Sequence, residues 1–213
     1  LALCMVLAVP FAALAVPVGV ITAIEGRADI TRGGEPARQA ALGDEVHIGD
    51  FLRTMSQSRL EVTFIDDSVS RMSPGSRLRV TEFLFDAGDR KSTLDLLRGK
   101  VQSVVASATP ESTFEVHTPT AVCGVRGTQF FVTFRDGVTR GATRRGVVYA
   151  FSKGRPDQVR TMGAGQGFTL LSEDDVPEIR DVPDEEMQQD LDDTTPGEGE
   201  DAGEEPGEDP AED

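Results

Sequence analysis

The sequence has no tryptophan, one tyrosine, two cysteines and two histidines among its 213 residues. The histidines, His47 and His117, are far apart, and no CxxC, HxH or HExxH spacing occurs, so we expect neither a metal site nor a cofactor. Cys4 lies in an apolar N-terminal stretch, and removal of that stretch would leave Cys123 as the only thiol. No intramolecular disulfide would then be possible, and the domain must be stabilised by packing.

Basic residues are scarce relative to acidic ones, with 21 Lys+Arg against 37 Asp+Glu and a formal net charge of −16. Residues 172–213 hold 20 of the acidic residues and one basic residue, Arg180, so this stretch carries −19. Residues 1–171 hold the other 20 basic and 17 acidic residues and carry +3. Because duplex binding needs clustered lysine and arginine, this balance argues against a nucleic-acid partner.

Residues 172–213 are predicted to form a disordered acidic tail. They contain five prolines, four glycines and no aromatic residue, and their like charges repel one another. Such a segment buries too little apolar surface to offset the entropy lost on ordering. We therefore expect deletion after Leu171 to leave the thermal midpoint almost unchanged, although Met187 to Leu191 hints at one helical turn.

Residues 1–15 form an apolar stretch, LALCMVLAVPFAALA, that ends in Ala-Leu-Ala. This pattern is typical of the apolar region and small-residue cleavage site of a signal peptide. A membrane anchor is the alternative, because weakly interrupted apolarity continues to Ile24 and about 20 apolar residues can span a bilayer. We predict a periplasmic or secreted protein, or one anchored in the inner membrane. Membrane contact is expected only if the segment stays uncleaved.

Between residues 18 and 171, apolar and polar residues alternate in short runs. In Arg59–Phe64, the apolar side chains of Leu60, Val62 and Phe64 fall on one face, as in a half-buried strand. The same alternation recurs in Arg77–Phe83, Thr93–Leu97, Phe114–His117, Phe130–Phe134 and Val147–Phe151, with turn residues between the runs. The pattern predicts an all-β domain over residues 16–171, with short strands in a solenoid-like or sandwich-like arrangement.

A glycine beside a basic residue precedes three of these predicted strands, at Gly26, Gly99 and Gly146. The spacings between the three glycines, 73 and 47 residues, are unequal. A strict internal repeat is therefore excluded, and an irregular solenoid or a sandwich stays open.

The most informative segment is Phe114–Val132, which reads FEVHTPTAVCGVRGTQFFV. Its run TPTAVCGVRGTQFFV resembles the signature of the FecR domain, a periplasmic module named after the regulator of iron-citrate uptake. Further blocks resemble the family in order, namely Gly26–Gly34, Leu42–Asp44, Ile48–Asp50, Ser58–Val62, Asp66–Ser68, Ser73–Ser76 and Leu97–Val101. The resemblance covers about residues 20–134, with a weaker continuation to about Leu171, and implies a β-rich, solenoid-like stack.

The family's sigma-factor regulators differ from this sequence in two respects. They carry a cytoplasmic helical segment before a membrane span, and a second small periplasmic domain that docks onto an outer-membrane receptor. The resemblance therefore implies a stand-alone exported module that binds a protein or an envelope polymer, through a sheet edge or an exposed face that accepts a partner strand. A truncated membrane-anchored sigma-factor regulator is the alternative.

The candidate site is a binding or structural motif within the signature. It consists of Thr118, Pro119, Gly124, Val125, Arg126, Gly127 and Thr128. Glycines on both sides of Arg126 allow positive φ or a close backbone approach, and the guanidinium offers a rigid fork of donors. We expect Arg126 to tie neighbouring turns together inside the protein, with a ligand or peptide anion as its alternative partner.

Cys123 and His117 raise a second alternative, a Cys/His hydrolase. Activation of the thiol would need a base within hydrogen-bond reach and a third, orienting group. A small apolar cysteine within a strand is the simpler interpretation, and we predict that the protein is not an enzyme. The carboxylate pairs Asp44/Glu45 and Asp66/Asp67 lie in predicted turns, where aspartate commonly hydrogen-bonds its own backbone.

Overall fold

The computed structural model describes residues 16–86, 89–106, 112–125 and 127–197. The predicted signal peptide, Arg126 and residues 198–213 lie outside the described residues.

Seventeen strands and one helix make up the described part of the chain. In chain order they are β1 (Gly19–Glu25), β2 (Ala28–Thr31), β3 (Arg38–Gln39), β4 (Glu45–Val46), β5 (Phe51–Thr54), β6 (Arg59–Phe64), β7 (Val69–Met72), β8 (Arg77–Asp86), β9 (Asp89–Val104), β10 (Thr113–His117), β11 (Ala121–Val125), β12 (Gln129–Arg135), β13 (Val138–Arg145), β14 (Val148–Ser152), β15 (Arg155–Met162), β16 (Gln166–Leu170), β17 (Glu178–Asp181) and α1 (Asp184–Thr194). The architecture confirms the predicted all-β domain. No helix among the described residues is long and apolar enough to cross a membrane.

The strands pair in two sheets that share β9. Sheet A has the order β4–β1–β6–β7–β9–β12–β13–β16–β17. Sheet B has the order β3–β2–β5–β8–β9–β10–β11–β14–β15. Every pairing in these orders is antiparallel except the parallel pairing of β9 with β10. Because β9 belongs to both sheets, all the strands form one mixed hydrogen-bonded system.

The long strand β9 changes sheets at Gly99. Residues before this glycine pair with β8 in sheet B, and residues from Gly99 to Val104 pair with β12 in sheet A. Gly99 has a φ of 93°, a left-handed conformation that is strained for residues with a side chain. One glycine therefore allows a single strand to serve both layers.

The hydrophobic core lies between the two sheets. Phe64 of sheet A stacks on Phe83 of sheet B with 5.3 Å between ring centroids. Phe114 of sheet B meets Phe130 of sheet A edge to face at 6.4 Å. Within β6 the burial alternates as its sequence predicts, because Leu60, Val62 and Phe64 point inward.

The three glycines that stand beside basic residues in the sequence lie where the chain passes from one sheet to the other. At each of these places, two such segments run side by side. Gly26, Gly99 and Gly146 all have positive φ, and each faces a buried hydroxyl residue, Ser58, Ser76 or Thr128 respectively. The hydroxyls of Ser58 and Ser76 accept backbone N–H groups of Arg27 (2.9 Å) and Lys100 (3.0 Å), and that of Thr128 donates to the carbonyl of Val147 (3.1 Å). The loose repeat in the sequence is therefore a repeat of sheet-to-sheet corners.

The structure differs from the sequence prediction over residues 172–197. β17 pairs with β16, and α1 lies on the outer face of sheet A, where Met187 and Val182 form a small buried cluster with Phe131 and Ala142. Lys100 pairs with Asp190 and, at 2.8 Å, with Asp193. The composition of residues 172–213 favoured disorder. A few apolar residues are nevertheless enough to hold residues 172–197 in place, because the facing sheet supplies an apolar and basic surface. The predicted disorder is thus corrected for residues 172–197.

Candidate functional site

The first part of the signature is the tight turn between β10 and β11. Thr118 is buried, and its hydroxyl accepts the N–H of Ala121 at 2.9 Å and lies 2.7 Å from the hydroxyl of Thr139. Pro119 is exposed in the turn itself. The hydroxyl of Thr118 therefore helps to hold the hairpin turn closed.

The second part of the signature builds a close contact and a corner. A Cβ at Gly124 would lie 2.0 Å from Cζ of Tyr149, so only glycine lets this ring lie against β11. Val125 is buried in the core. Gly127, with a φ of 65°, and the buried Thr128 form the crossing from β11 to β12. The structural role of Arg126 stays a prediction.

The outer face of sheet B carries a polar cluster that the sequence analysis did not find. Glu115 accepts a hydrogen bond from the hydroxyl of Tyr149 at 2.8 Å, and its other oxygen lies 2.6 Å from Nε2 of His117. Asp95 lies 3.9 Å from Nδ1 of the same histidine. The alternation of β10 could have placed residues 115 and 117 together, but Tyr149 is brought in by the pairing of β11 with β14.

The hydrogen bonds from His117 and Tyr149 lower the pKa of Glu115 below its ordinary value of 4.5, in spite of the opposing effect of burial. A carboxylate with a depressed pKa stabilises the folded state above its unfolded pKa, and the contribution is lost as the pH falls through the folded pKa.

We expect Glu115→Gln to lower the free energy of unfolding by about 1–2 kcal/mol at pH 7, because charged hydrogen bonds are replaced by neutral ones. The difference from the native protein should shrink as the pH falls below 4.5, since protonated glutamate resembles glutamine. Urea denaturation of both proteins between pH 7 and pH 3.5 measures this. A difference independent of pH would contradict the role assigned to the carboxylate.

The geometry of strands β10 and β11 argues against the Cys/His hydrolase. Cys123 is fully buried in the core opposite Val116, whereas His117, the next residue along β10, faces outward. Burial, with a smaller effect of Glu115, raises the pKa of the thiol far above its ordinary range. The thiol and the imidazole therefore lie on opposite faces of sheet B, and the imidazole cannot serve as the base that would activate the thiol. Among the described residues, no three His, Cys, Asp or Glu side chains are arranged to hold a metal ion.

One edge of sheet B differs from the other three sheet edges in length. Three of the four sheet edges are short: β3 and β4 have two residues each and β17 has four. The fourth, β15, has eight residues, and all but Gln158 and Met162 are exposed. Across the described residues its ladder pairing is with β14 alone. We call the outer side of Arg155–Met162 the β15 edge.

The β15 edge lies beside some of the exposed basic residues that form no ion pair in the described structure, whereas Arg77, Arg79, Arg98, Arg135 and Arg140 are further such residues on other strands. Ten basic residues form ion pairs: Arg27, Arg32, Arg38, Arg53, Arg59, Arg71, Arg90, Lys91, Lys100 and Arg180. Five exposed basic residues on or beside β15 have no ion-pair partner in the described part of the chain: Arg144, Arg145, Lys153, Arg155 and Arg160. We call these five the basic group.

Comparison with known protein families finds a match that includes the signature. Residues 50–149 match the family described as FecR protein, which confirms the resemblance seen in the sequence. No curated protein sequence matches the chain.

Two crystal structures of a putative anti-sigma factor from Parabacteroides distasonis share the fold. Each has a TM-score of 0.54 and 18% sequence identity to this chain, and the match covers 65% of this chain. It covers 62% of the length of that protein, so the chain corresponds to only part of it.

Proposed function

Because residues 50–149 form a FecR domain, we propose that this protein is a non-catalytic signalling module of the cell envelope that acts by binding a protein. The family supports a regulatory role. The observation that carries the binding role is the β15 edge, a long exposed strand beside five basic residues without ion-pair partners in the described structure. An envelope polymer is the other class of partner to be distinguished by experiment.

The geometry of the signature supports binding rather than catalysis. Among the described residues of the signature, Thr118 serves the turn, Gly124 allows the contact with Tyr149, and Gly127 and Thr128 serve the corner. The exposed ladder groups of a free edge strand, in contrast, are what strand addition requires. Recognition is therefore assigned to the edge of the sheet.

We expect the protein to act outside the cytoplasm. When the complete gene is expressed with a C-terminal tag, the product should fractionate with the periplasm or the medium, and its N-terminus should begin near Val16 because the apolar stretch is cleaved. N-terminal sequencing of each fraction measures this. An intact N-terminus in washed inner membranes would show an anchored protein, and a cytoplasmic product would contradict the proposal.

Site-specific crosslinking tests the binding role. A photoreactive amino acid at Val159, 46% exposed on β15, should give a crosslink to a defined envelope protein in intact cells. The matched control is Ile65, which is 52% exposed in the turn between β6 and β7 of sheet A. Equal crosslinking at both positions, or crosslinks to polymer only, would contradict protein binding at the β15 edge.

A further inference from the structure

We propose that the β15 edge accepts an extended acidic segment of the partner protein, which adds to sheet B as a tenth strand. This inference rests on the proposed binding function and deepens it by naming the chemistry of the partner.

The backbone of β15 provides the ladder for such a strand. Its pairing with β14 runs from Val148 opposite Met162 to Ser152 opposite Arg155, with one irregularity, so one side of the strand is occupied. An edge strand in a regular ladder presents its alternate N–H and C=O groups outward. Pro156 has no N–H to donate, so we expect the added strand to pair mainly with residues 157–162.

Residues of the basic group lie on β15 and beside both of its ends. Lys153 lies in the turn before β15, and Arg155 and Arg160 lie on the strand. At the far end, the N–H of Gly165 donates to the carbonyl of Thr143 at 2.9 Å, which brings Arg144 beside the turn after β15. An added strand would therefore have cations beside both of its termini.

Acidic groups also lie near these cations. The carboxylate of Asp157 on β15 accepts a hydrogen bond from the side chain of Gln158 at 3.0 Å. The loop containing Glu173 passes the turn before β15, where the carbonyl of Glu173 accepts the N–H of Gly154 at 2.8 Å. On the strand itself the two arginines outnumber the one carboxylate. At the first end the loop adds Glu173, Asp174 and Asp175, so the excess of positive charge lies toward Arg160 and the end near Arg144.

Charged side chains on an edge strand ordinarily prevent pairing with other chains. Here Arg155 and Arg160 outnumber Asp157 on the strand, so basic segments are repelled. Neutral segments are disfavoured because their binding would desolvate the cations without compensation. An acidic segment alone gains attraction as well as ladder hydrogen bonds. Exposed Val159 adds an apolar contact for one of the alternating side chains of the added strand.

The test uses the full-length chain and a synthetic probe, the acetylated and amidated octapeptide (Val-Glu)4. Fluorescence anisotropy of the labelled peptide should show saturable binding that weakens as salt rises. The double variant Arg155→Glu/Arg160→Glu should weaken binding at least tenfold. The control Arg98→Glu should bind like the native protein, because Arg98 is an exposed residue on β9, four strands away in sheet B.

Two further peptides separate strand addition from simple charge attraction. Neither (Pro-Glu)4, which lacks N–H donors at every second residue, nor (Val-Glu)4 with N-methylation at alternate positions should bind. Equal binding of (Pro-Glu)4, an equal loss in the Arg98→Glu variant, or no binding of (Val-Glu)4 would each overturn the inference. Binding that appears only after removal of residues 198–213 would also overturn it, because the chain's own acidic end would then occupy β15.

The proposed function and this inference can fail separately. If the envelope protein is still captured by the Arg155→Glu/Arg160→Glu variant, the binding function stands and the acidic-strand assignment is wrong. If no envelope protein is captured although (Val-Glu)4 binds with the expected sensitivities, the acidic-strand chemistry stands and the cellular function is wrong.

Discussion

Deletion of residues 172–213 is expected to lower the free energy of unfolding by about 3–6 kcal/mol, since it exposes the apolar groups that Val182 and Met187 bury. For a domain of this size the thermal midpoint should fall by roughly 6–24 °C. The deletion also leaves Lys100, now buried against α1, without Asp190 and Asp193. Thermal and urea denaturation of the truncated protein measure the effect.

The matched control is deletion of residues 198–213 only. This segment is composed of Glu, Asp, Gly, Pro and Ala, and its removal should change the free energy of unfolding by no more than about 0.5 kcal/mol. An unchanged midpoint after deletion of 172–213 would contradict the packing of α1 and would restore the disorder predicted from composition. High salt should lower the free energy of unfolding of the native protein more than that of the protein without residues 172–213, because ion pairs help to hold α1 in place.

The second large effect is expected from Arg90, which forms a buried ion pair. Its Nη1 lies 2.9 Å from Oδ2 of Asp66, and both side chains are almost fully buried. The other oxygen of Asp66 accepts the N–H of Ser68 at 3.1 Å and its hydroxyl at 2.5 Å. The pair thereby ties the turn between β6 and β7 to the beginning of β9.

Arg90→Ala should lower the free energy of unfolding by about 3–5 kcal/mol, because it leaves a buried carboxylate without its cation. Arg98→Ala is the control, since Arg98 is exposed and should change stability by at most about 0.5 kcal/mol. The double variant Arg90→Met/Asp66→Leu should recover much of the loss, because no unpaired charge remains. Equal midpoints for Arg90→Ala and the native protein in urea would show that the pair contributes nothing.

The strand pattern was predictable because it depends on neighbouring residues. Alternation in Arg59–Phe64 is a local signal, and it fixed both the strand and its buried face. The role of Asp66 was half visible, since its hydrogen bond to Ser68 is turn chemistry. Its partner Arg90 is 24 residues away along the chain, and only the folded arrangement brings the two together.

The FecR signature was recognised from the sequence. Its candidate residues in the described part of the chain make contacts within the fold. Gly127 and Thr128 repeat the corner chemistry seen at Gly99 and Ser76, which explains them without a ligand. The β15 edge was expected only as a general possibility, because a sheet edge is a property of strand order. The distinction between basic residues that form ion pairs and those that stay unpaired beside β15 is likewise visible only in three dimensions.

The most direct test of the binding account is hydrogen exchange at the β15 backbone, measured by mass spectrometry on the full-length chain with and without (Val-Glu)4. The account predicts that amides within residues 157–162 become more strongly protected on peptide binding, while those of the two short edges β3 and β4 do not change. Binding without added protection in β15, or with the same protection at every edge, would contradict it.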